Sequence, residues 1–257
     1  MNRVRLFALL IALSAPLCAV PVVQAQTKPA AAKLPSAASV LDDSAKATGG
    51  IANYNKIKSM VITGTMQMIA QNISGSLETR LAFPNKVYSA QEIKGIGKFE
   101  QGYDGATGWS RDPINGLRTL AGAELTQIKT QGDEMKSSDW RRLYSKVTLL
   151  GIRKVGTANA YAIRLFPKSG AKPVTTFFDT KTKLPIRTDI VAQTAQGEVP
   201  SQNFTSDFRT VSGIKIPFKT RQVSGTQEVS VTFDSVQVNV PIDNAIFAKP
   251  VASTPKP

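Results

Sequence analysis

The chain has 257 residues, with 32 Lys and Arg, 18 Asp and Glu, one Cys and no His, for a formal net charge of +14. Without imidazole there is no Ser-His-Asp triad, no Cys-His pair and no histidine-ligated metal, and a single Cys excludes an internal disulfide or a thiolate cluster. Hydrophobic residues make up 42% of the chain, and by size scaling a chain of this length buries roughly 70% of the surface its unfolded form exposes.

The first 25 residues read as a secretory signal. Arg3 and Arg5 form a positive start, and residues 6–15 are almost entirely apolar yet too few to span a bilayer. Val23-Gln24-Ala25 then places small or apolar residues where cleavage after Ala25 needs them. Cys18 is not read as a lipidation site, because Leu17 stands where a small residue is expected. Export of this kind puts the mature chain in the periplasm. Loss of Arg3 and Arg5 leaves 30 basic residues against 18 acids, a net charge of +12. In an envelope compartment such a charge suits an anionic membrane surface or an envelope protein partner. The basic residues are scattered, with no run of five and no basic-aromatic ladder along the chain, so nucleic acid is not an expected partner.

Residues 26–36, rich in Ala, Lys and Pro, read as a flexible linker, and 250–257 as a flexible tail. One domain is expected between them, over 37–249. It opens with an amphipathic helix over 36–47, capped by Ser36 or Ser39 and ended by Gly49-Gly50. A bridge through Tyr54 and Ile57 follows, and the apolar period then changes from 3.6 to 2. Strands are predicted over 59–69, 76–83, 86–93, 97–103, 108–111 and 117–120, with Asp104-Gly105 as a tight hairpin turn. Between 122 and 149 the pattern turns helical, first around Leu125 and Ile128, then through Trp140, Leu143 and Tyr144 behind a Ser138 or Asp139 cap. Further strands are predicted over 149–155, 160–166, 174–179, 186–192, 203–210, 214–221 and 228–238. Short sequential strands with tight turns pair antiparallel, and two patches of helix suffice to cover one face. The expected fold is therefore α+β: a curved antiparallel β-sheet, a half-barrel, with a few helices covering its concave face.

Catalytic groups are scarce. Asp42-Asp43 sits near a helix start, Asp133-Glu134 in a polar linker, and Asp104 and Asp112 in turn contexts. Gly95-Ile96-Gly97 lacks the third glycine and the Lys-Ser/Thr of a phosphate loop. A hydrolase would have to draw a catalytic pair from residues such as Asp104, Asp112 and Glu124, or from the chain's Ser and Lys, and sequence does not give their separation. The distinctive feature is a methionine face on the first strand: Met60, Ile62, Met66 and Met68 point one way. In the next strand Leu77, Leu81 and Phe83 share one face by the same alternation, and with Trp109 they join the expected lining of an apolar cavity inside the half-barrel.

Residues 103–113, YDGATGWSRDP, resemble the Asp-Gly-x-x-x-Trp-x-x-Asp-Pro pattern of the LolA/LolB lipoprotein-carrier superfamily. KIKSMVITGT at 56–65 looks like that family's entry into its first strand. FFDTKTKLPIRTDIV and SDFRTVSGIKIPFKTR resemble later hairpins of outer-membrane lipoprotein-sorting proteins. VNVPIDNAIFAKP resembles their closing segment through Asp243, Phe247 and Pro250. One departure is Phe83, which stands where the lipoprotein carrier has an Arg before Pro-Asn. The resemblance implies a non-catalytic periplasmic carrier of lipid or lipoprotein acyl chains, with no cofactor and no metal. The alternative it allows is an envelope protein-protein interaction module of the same fold without ligand transport.

Overall fold

The computed structural model describes residues 34–122, 124–129, 139–194 and 197–251. The expected signal segment, residues 26–33 of the linker and all but the first two residues of the tail lie outside them. Thirteen strands form: β1 (Ser59–Met68), β2 (Ile73–Ala82), β3 (Lys86–Ile93), β4 (Gly97–Tyr103), β5 (Gly108–Asp112), β6 (Gly116–Thr119), β7 (Tyr144–Val155), β8 (Ala158–Pro167), β9 (Val174–Asp179), β10 (Pro185–Thr194), β11 (Gly197–Val211), β12 (Ile214–Ser224) and β13 (Gln227–Val238). Three helices accompany them: α1 (Ala37–Ala47), α2 (Gly50–Asn55) and α3 (Trp140–Leu143). Residues 124–129 are also helical, and a 3-10 turn spans Asn244–Phe247.

All thirteen strands belong to one curved, unclosed antiparallel sheet, ordered β6-β5-β4-β3-β2-β1-β13-β12-β11-β10-β9-β8-β7. The chain meanders from the middle to one edge, crosses to the other edge and meanders back, so the pairing of β1 with β13 joins the two halves. Sequential neighbours pair because short turns bring them together at little entropic cost. At the seam the register shifts between Thr63 and Gly64, with Asp234 as the extra residue in β13. Gly64 is required there, since a Cβ would stand 2.4 Å from the Thr232 carbonyl oxygen. This is the expected α+β half-barrel.

Helices lie against the concave face in two places. Ile128, from residues 124–129, packs with Met60, Ile62, Leu81, Val87 and Tyr103 of the first half and Ile214, Ile216 and Phe218 of β12. Val40 and Leu41 of α1 pack on Ile163 and Leu165 of β8 and Phe178 of β9. The α1–α2 junction hangs on the β11–β12 turn. Lys215 N–H donates to the Thr48 carbonyl at 2.9 Å, and Asn53 Nδ2 donates to the carbonyls of Gly49 at 2.9 Å and Gly213 at 3.3 Å.

Several expectations are corrected. The bridge after Gly49-Gly50 is helix α2, begun at a glycine with φ of 118°. Tyr144 starts a strand rather than continuing a helix: β7 runs from Tyr144, and Tyr144, Val147 and Leu149 pack into the cluster under α1. Strand β11 starts at Gly197, well before 203, and passes through Pro200. Pro200 is tolerated because it pairs with Val191 on one side while the β12 pairing begins only at Ser201. The β4–β5 turn is not an Asp-Gly turn with two positive φ values. Gly105 alone is positive, at 104°, and Asp104 instead accepts the N–H groups of Ala106 at 2.8 Å and Thr107 at 2.7 Å.

Candidate functional site

The two halves of the concave face differ. The first half is closed by its own side chains: Met60, Ile62 and Leu81 are fully buried, with Leu77 and Phe83 packed against them. The second half carries an open cleft of about 820 Å3, within the range of roughly 300–1,000 Å3 usual for ligand pockets. Helix α1 forms one wall through Leu41, Ser44, Ala45 and Thr48, and α3 another through Trp140 and Leu143. The floor is the inner face of β8–β10, with Leu165, Val174, Thr176, Phe178, Pro185, Thr188 and Ile190.

This cleft follows from strand parity. Tyr161, Ile163 and Leu165 share one face of β8 and pair with Phe178, Thr176 and Val174 of β9. Alternate residues of each strand thus make one continuous apolar surface. The walls are clamped to each other by Asp42 of α1, whose carboxylate accepts from Arg141 Nη1 at 2.6 Å, Arg141 Nη2 at 2.9 Å and Trp140 Nε1 at 2.9 Å. The Arg141 guanidinium also stacks over the Trp140 ring at 4.2 Å. Hydrogen bonds from Arg141 and Trp140 hold the Asp42 carboxyl down at about 2. The rim is exposed and basic, with Arg142, Lys168 and Lys172, and among the described residues no carboxylate lines the cleft.

None of the eight residues expected to bind ligand lines this cleft. Met66 and Met68 are half-buried on the inner face of β1, beside Val231 and Val229 of β13. Trp109 is on the opposite, convex face and lines neither cleft, as strand register explains. Tyr103 faces inward and pairs with Gly108, so the next residue, Trp109, faces outward. Its indole lies across Gly102, where a Cβ would meet Nε1 at 2.4 Å, and donates to the Phe247 carbonyl at 2.9 Å. The cleft residues were missed because inner-face alternation is equally present in both halves, and only the position of α1 tells which half stays open.

Two of the pieces that carry the resemblance, YDGATGWSRDP and the closing VNVPIDNAIFAKP, meet in one place. Trp109, Tyr88 and Phe247 form a buried cluster on the convex face, with Ile242 and Ile246 packed against it. Asp112 accepts the N–H groups of Ile114 and Asn115, and Asp243 that of Ala245. The Asp-Gly…Trp…Asp-Pro and Asp…Phe…Pro patterns therefore encode turns and a lock between β5 and the C-terminal segment. Asp104 and Asp112 serve turn backbones, and Glu124 pairs with Arg118 at 2.7 Å beside a smaller polar cleft of about 300 Å3. Among the described residues no three His, Cys, Asp or Glu side chains gather to hold a metal ion, and no helix is long and apolar enough to cross a membrane.

No protein-family model and no curated protein matches the chain. Solved structures do. A DUF1329 family protein from Desulfovibrio piger superposes with a TM-score of 0.59 at 13% identity, covering 84% of this chain and 98% of its own. A LolA superfamily protein from Nitrosomonas europaea gives 0.57 at 11% identity, over 84% of this chain and 99% of that one. A putative outer membrane lipoprotein-sorting protein domain from Vibrio parahaemolyticus gives 0.54 at 10% identity, over 83% and 97%. At these identities the likeness is one of fold: the curved, unclosed antiparallel sheet with few helices is LolA-like.

Proposed function

We propose that the protein is a non-catalytic, periplasmic binder or carrier of an acyl ligand, held in the cleft between α1 and the β8–β10 floor. The observation that carries this reading is the cleft itself: about 820 Å3 of mainly apolar lining, against about 300 Å3 for the smaller polar cleft in the first half. Burial of a methylene contributes ~0.8 kcal/mol, so a dozen methylenes on this floor contribute roughly 10 kcal/mol before the costs of association. No polar handle is needed for affinity of that order. The name of the lipoprotein-sorting domain from Vibrio parahaemolyticus points the same way. The secretory reading of the first 25 residues supplies the compartment.

Titration with a fluorescent acyl probe tests this. Saturable binding that is lost in Ala45→Trp, which fills the cleft from the α1 wall, is the expected result; absence of binding by the folded protein contradicts the proposal. A second reading, an envelope interaction module, draws on the first half of the concave face, which Ile128 and its neighbours fill. It predicts a stable protein partner recovered after mild crosslinking, and a partner that binds whether or not the cleft is blocked.

A further inference from the structure

The smaller cleft, of about 300 Å3, lies in the first half of the sheet, and no residue lines both it and the acyl cleft proposed above. Strand register arranges its lining in rows. Ser89 of β3 pairs with Gln101 of β4, Gln101 with Ser110 of β5, and Ser110 with Arg118 of β6, so these four stand at one level of the concave face. Two residues along the strands is the buried row of Val87 and Tyr103, packed with Leu120 and Ile128. Two residues the other way, Gln91 pairs with Phe99, which is half-buried. A row of uncharged hydrogen-bonding side chains is thus set between a dry apolar floor and an aromatic ring.

The protein itself does not use these groups. Among the described residues the side chains of Ser89, Gln91, Gln101 and Ser110 make no hydrogen bond, although Ser110 is only 9% exposed and Ser89 and Gln101 are half-buried. A buried hydroxyl without a partner is unfavourable, so polar groups gathered around one space are satisfied by what fills it. The charges of the lining, by contrast, are already matched. Arg118 holds Glu124 at 2.7 Å, Arg111 holds the buried Glu100, and Asp112 accepts the N–H groups of Ile114 and Asn115. Hydroxyls and amides on offer with no spare charge select a neutral ligand that is itself rich in such groups. Strands β3, β4 and β5 have a paired neighbour on each side, so no strand edge is open here to a peptide main chain. We propose that this cleft is a saccharide-binding subsite, in which Ser89, Gln101 and Ser110 bond the hydroxyl or acetamido groups of a neutral sugar and Phe99 packs against its ring. The proposal is independent of the carrier reading.

The test is nuclear magnetic resonance of the nitrogen-labelled protein titrated with N,N′-diacetylchitobiose, maltose and tetraalanine. The signals followed are the side-chain amides of Gln91 and Gln101 and the backbone amide of Ser110. Saturable shifts of these signals with a saccharide, and none with the peptide, are the expected result. Loss of one hydrogen bond weakens binding by about fivefold, so Gln101→Leu and Ser110→Ala should each raise the dissociation constant by about that factor. The same spectra report whether each variant is folded, and Gln91→Ala, at an exposed position, supplies a third variant that spares the packing. Ala45→Trp, in the other cleft, is expected to leave saccharide binding unchanged. Absence of shifts with both sugars, or shifts of equal strength in Gln101→Leu and Gln91→Ala, overturns the proposal. Tighter binding of tetraalanine than of either sugar overturns the ligand class and the proposal with it. Saccharide binding by a protein that takes no acyl probe overturns the carrier reading alone.

Discussion

Replacement of Gly49 by Ala attacks the joint that hangs the helices on the sheet. Gly49 has φ of 118°, and a Cβ there would stand 2.4 Å from the Gly213 carbonyl oxygen and 2.8 Å from Ile214 Cα. Both obstacles are backbone, so no side chain can swing aside. The conformation alone costs a non-glycine residue about 1–3 kcal/mol. Relieving the clash lifts the α1–α2 junction from the β11–β12 turn and weakens the Lys215-to-Thr48 and Asn53-to-Gly213 hydrogen bonds. Each contributes about 1 kcal/mol net. The expected loss is therefore about 3–4 kcal/mol, read from the midpoint of urea unfolding followed by circular dichroism. Gly50→Ala is the control: its φ is 77° but nothing lies within 4 Å of a Cβ, so only the backbone cost applies, about 1 kcal/mol. Equal midpoints for Gly49→Ala and Gly50→Ala would refute the close approach. Because α1 is a wall of the cleft, Gly49→Ala is also expected to weaken ligand binding, and Gly50→Ala is not.

Trp109→Ala removes a fully buried indole and its bond to the Phe247 carbonyl, at an expected cost of about 3–5 kcal/mol in thermal or urea unfolding. Acyl binding by the folded fraction should be unchanged, since Trp109 is not in the cleft; loss of binding at intact stability would count against its assignment to the convex face. Glu100 is buried and accepts from Tyr88 at 2.8 Å, Arg111 Nε at 2.7 Å and Lys98 at 2.9 Å. Burial pushes this carboxyl up, but hydrogen bonds from Lys98, Arg111 and Tyr88 outweigh it and hold the group below its ordinary value of 4.5. A depressed carboxyl stabilises the fold above its unfolded-state value and loses that contribution as pH falls through the folded one. Stability should therefore drop below pH 4.5, and the drop should be smaller in Glu100→Gln, measured by urea midpoints across pH. Ala45→Trp is expected to keep its melting temperature within a few degrees and to lose acyl binding at least tenfold, by calorimetry and probe titration; unchanged affinity would place the ligand elsewhere.

Period and punctuation made the architecture legible before any coordinates. Met60, Ile62 and Leu81 share a face because residues two apart do, and β1 and β2 pair as their alternation requires. Ser36 caps α1 as read, accepting the Ser39 N–H at 3.0 Å. Two kinds of information were not local. Which half of the sheet stays open depends on where α1 lands, which is settled by Gly49 meeting Gly213, residues far apart in the chain. Whether an aromatic faces in or out depends on register: Trp109 and Tyr103 are both apolar and close in sequence, yet the β4–β5 turn sends them to opposite faces. The motif residues were legible as a fold signature. The side chains of Asp104, Trp109, Asp112, Asp243 and Phe247 tie turns and lock the C-terminal segment, so they mark the scaffold, while the FFDTKTKLPIRTDIV hairpin lends Phe178, Pro185, Thr188 and Ile190 to the floor of the cleft.

The most direct measurement is native mass spectrometry of the protein purified from its own envelope, with lipid extraction of the same sample. A carrier shows a folded monomer with added mass that is recovered as an acyl species and is absent from Ala45→Trp. A clean unliganded mass, persisting after the folded protein has been offered hexadecanoate, would contradict the central claim that the cleft holds a lipid.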